Sequence, residues 1–382
     1  MKTSIRPFLY LSLLLLLLAG CGGGETDNKR LKSVEELLDS GRVDTACVEL
    51  DGIRGGDLRN GSDSAYYFLL KTQADYRADR PVGSLSGIDF SIRHYENGGN
   101  DAKLRLSSSL FYKSVLLYSQ GKVREGVVCL ERARQIADQT QDAVLRHKIY
   151  EQFTVVNEQA GDFRSALHYG KLSIDESKRA HRNDWLAHTY NNMAFVYNQL
   201  NLQDSAAWCL KRSMELLPKI PEKNRPFIMA NLGSFLLQTD TVVARKYLEE
   251  SLKIMPTSAA YANLGTLSAQ HGDTAQATQM WKKALDTAPD TQTEVAVLRS
   301  ILAYREKLGE WQGATMAAKR LLQLADSVER VRPENNVKAI QAEFERMTLS
   351  HNYERKVTAA LVAIVVLTLL VIIAILYSWY KN

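Results

Sequence analysis

Proline is scarce in this chain, with eight in 382 residues. Proline removes a backbone donor and breaks helix interiors, so its scarcity permits long uninterrupted helices. Runs of strictly alternating apolar and polar residues are missing through the middle, which excludes half-buried strands and predicts an all-α fold. Cysteine is scarcer still: only Cys21, Cys47, Cys129 and Cys209 occur. They form no Cys-x-x-Cys pair and no zinc-like spacing, so a disulfide framework and a structural zinc site are excluded. Cys47, Cys129 and Cys209 read as small apolar residues on helices, with at most one bridge among the three. Excess charge of one sign is also lacking. Lys and Arg number 48 against 43 Asp and Glu, a formal net charge of +5, and removal of residues 1–20 with Lys2 and Arg6 lowers it to +3. Such a balance carries no footprint for nucleic acid.

Chemistry-bearing motifs are missing too. The histidines, His94, His147, His168, His181, His188, His271 and His351, are scattered. No His-Glu-x-x-His occurs, and His181 and His188 share a helical spacing but have no third ligand, so no metal is expected. The segment "DGIRGGDLRNGSD", Asp51 to Asp63, is glycine-rich but lacks the Lys-Ser/Thr of a phosphate loop and follows no strand. It reads as a loop between helices. No Gly-x-Ser-x-Gly elbow is present, and the acidic pairs are those of any solvated helix surface. No cofactor and no enzymatic activity are expected.

What the chain does have is apolar sequence at both ends. Lys2 and Arg6 precede an apolar run from Leu9 to Leu18, followed by Leu18-Ala19-Gly20-Cys21. This resembles the signal peptide and lipobox of bacterial lipoproteins, which implies cleavage after residue 20 and lipidation of Cys21. Residues 21–28, with Gly22, Gly23 and Gly24, make a flexible tether. Near the other end, residues 357–380 hold 24 positions without a charge, ending in Tyr377, Trp379 and Tyr380. That length and aromatic end predict one C-terminal transmembrane helix. Arg355 and Lys356 before it argue locally for a cytoplasmic middle, whereas an export signal carries long domains across regardless of their charge. The expected placement is therefore the bacterial inner membrane, with the middle periplasmic, the lipid at its start and the helix at its end.

The middle repeats. In "SAAYANLGTLSAQHGDTAQATQMWKKALDTAPD", with Ser258 as position 1, Tyr261 is 4, Leu264 is 7 and Gly265 is 8. Gly272 is 15, Ala277 is 20, Trp281 is 24, Ala284 is 27 and Pro289 is 32. Small residues mark where two helices cross, Gly272 supplies the turn and Pro289 the stop. The pattern resembles the tetratricopeptide repeat (TPR). The same frame fits Tyr190, Met193, Ala194, Tyr197, Ala206, Leu210, Ser213 and Pro218, and Leu232, Gly233, Ala244, Leu248, Ser251 and Pro256. Weaker units surround these, including Gly41 with Ala46. The expectation is an α-solenoid of about eight TPR hairpins over residues 29–328. Over residues 333–356, Val337, Ile340, Phe344 and Met347 form an apolar stripe. It suits a helix capping the solenoid or a short dimerising coiled coil, and both stay open.

In the TPR family, positions 2, 5, 9, 12 and 13 of each first helix line a concave face. Carried over, the resemblance places His188, Asn191, Phe195, Asn198 and Gln199 there, with Phe111 and Tyr118 from an earlier unit. Amide side chains can pair with the backbone of an extended peptide, and the aromatic rings can take its side chains. The family's Lys, Arg and Asn carboxylate clamp is absent. The stretches "VEELLDSGRVDTACVELDGI" and "YYFLLKTQADYRADRPVGSLSGIDFSIRHYENGGNDAKL" are similar to the start of bacterial membrane regulators that join a TPR sensor to a transmembrane helix and an output domain. With only Lys381 and Asn382 after the apolar run, no output domain is expected here. The resemblance implies an extracytoplasmic scaffold that binds a protein or peptide and works through a separate membrane signalling partner. An envelope-assembly adaptor without a signalling role is the alternative.

Overall fold

The computed structural model describes residues 29–54, 58, 60–78, 80–81, 84–96, 98–289, 291–325 and 337–381. The expected signal peptide, Cys21 and the tether lie outside the described residues. Two compact units divide the chain, Met1–Leu116 and Leu117–Asn382.

The first unit contains α1 (Lys29–Asp39), α2 (Val43–Asp51), α3 (Gly61–Arg77), α4 (Ser86–Glu96) and most of α5 (Asn100–Ser119). Leu31, Val34, Leu38, Cys47, Leu50, Tyr66 and Leu70 form its core. Each buried Leu of this kind contributes about 1.5–3 kcal/mol over an exposed one. Asn60 starts α3 by accepting from the Asp63 amide at 2.8 Å.

In the second unit, α6 (Val123–Ala137) is followed by α7 (Ala143–Gln159), α8 (Phe163–Arg179), α9 (Asn183–Gln199) and α10 (Gln203–Leu216). Then come α11 (Pro226–Leu236), α12 (Thr241–Ile254), α13 (Ser258–Gln270), α14 (Thr274–Asp286), α15 (Thr291–Lys307), α16 (Trp311–Ala325) and α17 (Val337–Lys381). The helices α7 to α16 pair in order as five hairpins. Among the described residues there is no strand, and the fold is of the TPR type.

The turns show why the sequence breaks where it does. Gly272 has φ 80, and Asp273 after it accepts from the Gln276 amide at 2.9 Å. One residue ends a helix in the left-handed region and the next caps a new one. In the α9–α10 turn the corresponding residue is Asn201, with φ 58. Asparagine is among the few non-glycine residues that visit this region readily. Where helices cross, space decides the residue: a Cβ on Gly265 would run into the Trp281 indole. Ala206, Ala244 and Ala277 are fully buried at the equivalent crossing.

A polar link also recurs inside the hairpins, between positions 1 and 27 of the frame, or 1 and 26 in the shorter α11–α12 unit. The Ser213 hydroxyl donates to the Ala187 carbonyl at 3.0 Å, Ser251 to Pro226 at 2.8 Å and Ser258 to Ala284 at 2.8 Å. In the first hairpin the pair is His147 and Ser173, Nδ1 to Oγ at 2.9 Å. His147 is buried and stacked on Trp185 at 4.5 Å. Burial pushes its pKa down, against the opposing charge of Glu151.

The helix α17 begins with the expected apolar stripe, and its place is not on the last hairpin. Val337 and Ile340 are buried with Val127 of α6 and Val156 of α7. Gln341 donates to Glu131 at 2.6 Å and to the Tyr169 hydroxyl at 3.0 Å. Arg124 pairs with Glu343 at 2.7 Å. Phe344 is buried, while Met347 is 52% exposed. Further along, every described side chain from Asn352 to Leu370 is exposed. Among the described residues no helix is long and apolar enough to cross a membrane. Residues 371–372 and 375–381 lie outside the described side chains, so the expected 357–380 span is described only in part. Cys47, Cys129 and Cys209 are free thiols in buried positions.

Candidate binding groove

The first helices of successive hairpins, α7, α9, α11, α13 and α15, line one groove of the second unit, with a volume of about 630 Å³. Its character comes from a register. Counting Ala187, Pro226 and Ser258 each as position 1, position 6 is Asn192, Asn231 and Asn263. All three line the groove, with Ser300 of α15 at the same position of its hairpin. An identical frame on stacked hairpins sets identical side chains in a row. Asn191, Asn198, Gln203 and Gln238 add further amides, and Phe195, Phe235 and Tyr304 add rings.

Beside this row lies a polar cluster on Glu151. Its Oε1 accepts from Asn192 at 2.7 Å and pairs with His188 Nδ1 at 3.3 Å. Its Oε2 accepts from Ser173 at 2.9 Å and from Thr189 at 3.0 Å. Burial works against the ionised form, but the His188 contact, the His147 ring and the Ser173 hydroxyl hold Glu151 down to about 2. His188 moves the other way: burial opposes its charge, and the Glu151 carboxylate overcomes this and raises it. The cluster fixes Asn192 and His188 at the groove edge.

The expected site residues fare differently. Phe195 is 43% exposed and lines the groove, with its ring 6.4 Å from that of Phe163. Asn198 also lines it and accepts from Gln203 at 3.0 Å. Asn191 lines it while buried, donating to the Ile228 carbonyl at 3.0 Å and leaving Oδ1 without a partner. His188 reaches it through Glu151 and Asn192. Gln199 is exposed and outside the lining. Phe111 belongs to the first unit and is 6% exposed, used in packing. Tyr118 packs with Val127 and the start of α17, and burial raises its phenol well above the ordinary value. Carrying over positions 2, 5, 9, 12 and 13 missed the row at position 6. The signal available was an asparagine recurring at one place in three consecutive units. Among the described residues no group of three or more His, Cys, Asp or Glu is arranged to hold a metal ion.

No family model matches the chain, and no curated protein does. Solved structures match in fold. A Rap protein complexed with competence and sporulation factor is 11% identical, with a TM-score of 0.53 over 80% of this chain and 99% of that one. The apo form of the quorum sensor NprR from B. thuringiensis is 14% identical, with a TM-score of 0.51 over 83% and 98%. NprR in complex with its cognate peptide NprX is 14% identical, with a TM-score of 0.54 over 85% and 98%. These neighbours are TPR-like helical repeat proteins, and at such identities the likeness shows the fold alone.

Proposed function

We propose that this chain is a membrane-anchored binding protein that takes an extended peptide, or an extended segment of a protein, in the groove of its second unit. It acts by binding and performs no chemistry of its own. The observation that carries this reading is the asparagine row. The side-chain amides of Asn231 and Asn263 make no hydrogen bond within the described residues. Each amide offers both a donor and an acceptor, which is what a peptide backbone requires regardless of its sequence. Two of the similar folds, a Rap protein and NprR, were solved with a competence and sporulation factor and with a cognate peptide, which supports a groove of this type being used for peptides.

Anchoring rests on the lipobox at Cys21 and on the apolar run at residues 357–380. The exposed apolar surface of Leu361, Val362, Ile364, Val365, Leu367 and Leu369, each more than half exposed, supports a lipid environment for that run. On this reading the export signal carries the groove to the periplasmic side of the inner membrane, and occupancy passes to a separate membrane partner. The binding test is photocrosslinking. A benzophenone amino acid at Ser234, in the groove, is expected to capture biotinylated random pentapeptides. The same group at Val242, 78% exposed and outside the groove lining, is not. Equal labelling at the two positions contradicts the reading.

A further inference from the structure

The groove lining contains one charged residue. Of the seventeen residues, Glu158 carries a carboxylate and the rest are amides, hydroxyls, aromatics and leucines. Glu158 stands two turns after Glu151 on α7, so both carboxylates share a face. Their situations are opposite. Glu151 is held by Asn192, His188, Ser173 and Thr189. The Glu158 carboxylate has no hydrogen bond and no ion pair within the described residues. A partly buried carboxylate without a partner is costly unless it is paired. No lysine or arginine of the groove is there to pair with it. Asn191, 5% exposed with its Oδ1 unpartnered, is a second group of the same lining left unsatisfied.

We infer that Glu158 is the specificity-determining residue of the groove, and that the ligand brings a single cationic group to it, from a Lys or Arg side chain or a free α-amino group. The inference rests on the peptide-binding reading and adds polarity to it. The position-6 row pairs with any backbone, whereas Glu158, on the first of the lining helices, fixes which end of the peptide lies over α7. Its environment agrees: burial, and then the charge of Glu151, push the Glu158 carboxyl up to about 7, against the smaller opposing effect of His188. A ligand cation would bring it back to the ionised form.

The experiment uses the full chain in detergent micelles and fluorescein-labelled pentapeptide pools ending in a C-terminal amide. Each pool is random except for one fixed residue, and binding is read by anisotropy. Three N-acetylated pools fix Arg, Gln or Glu; a fourth fixes Gln and keeps a free α-amine. The wild-type chain is expected to favour the Arg pool or the free-amine pool over the acetylated Gln pool by about tenfold, the scale of one charge-assisted hydrogen bond. The Glu pool is expected to be weakest. Whichever cationic pool wins identifies the source of the charge. Glu158→Gln, nearly isosteric, is expected to keep its helical circular dichroism while losing the tenfold preference. Absence of preference in the wild type, or preference surviving in Glu158→Gln, overturns the inference and leaves the peptide reading standing. Failure of every pool to bind overturns the peptide reading and this inference with it.

Discussion

Glu158 makes the protein's stability depend on pH in a direction opposite to that of most carboxylates. Its carboxyl is raised from 4.5 to about 7, by burial first and by the charge of Glu151 on the same helix second, with His188 of α9 opposing. The unfolded chain ionises this group more easily than the folded one. Its folded-state advantage is therefore present below about pH 4.5 and lost as pH rises to about 7. At about 1.4 kcal/mol per tenfold change, a rise from 4.5 to about 7 corresponds to about 3 kcal/mol. Water at the open side of the groove screens the charge and leaves about 1–2 kcal/mol. Glu158→Gln removes the ionisable group and keeps its shape. The variant is expected to melt with the wild type at pH 4.5 and about 2–6 °C above it at pH 8.5. Thermal circular dichroism at both pH values checks this. Equal melting at pH 8.5, or a difference that does not change with pH, would refute the account of Glu158 as an unpaired carboxylate.

Other expectations follow from packing. Gly265→Leu places a side chain into the Trp281 indole and is expected to destabilise by about 1–3 kcal/mol, read as a lower denaturant midpoint. Asn201, at φ 58, is expected to tolerate Gly, while Asn201→Ala costs about 1 kcal/mol because alanine has no local hydrogen bond to offset the left-handed conformation. Phe344→Asp is expected to free the start of α17 from α6, seen as faster amide exchange over residues 337–347 with little change over α9 to α14. Cys21→Ser is expected to abolish labelling by a radioactive fatty acid, and continued labelling would remove the lipid anchor from the proposal.

The hairpins were legible because their determinants are local. Gly265 with Trp281, Gly272 with Asp273 and the alanines at the crossings each act within one unit, and one unit is enough to read the frame. The α9–α10 turn was harder, since Asn201 does there what glycine does elsewhere. The docking of α17 was not legible. A stripe of Val337, Ile340 and Phe344 says only that something covers it, and the residues packed on its first two members, Val127 and Val156, are about two hundred positions earlier. For the groove, the family's positions include Phe195 and Asn198, which line it. Phe111 looked equivalent in register but is buried in its own unit. Asn192, Asn231 and Asn263 needed the stacking of three units to become one row. Glu158 was invisible as a special residue until the other lining side chains were known to be neutral.

The central claim is that the asparagine row holds a peptide backbone. The side-chain amides of Asn231 and Asn263 make no hydrogen bond within the described residues, so replacing both by alanine leaves nothing buried unpaired and is expected to preserve the helical signal and melting temperature. The most direct measurement is the affinity of the full chain for random pentapeptides with and without these two amides. Loss of two or more backbone hydrogen bonds, at about 0.5–1.5 kcal/mol each, predicts binding weaker by at least about fivefold in Asn231→Ala/Asn263→Ala. Unchanged affinity in a folded double variant would contradict the account.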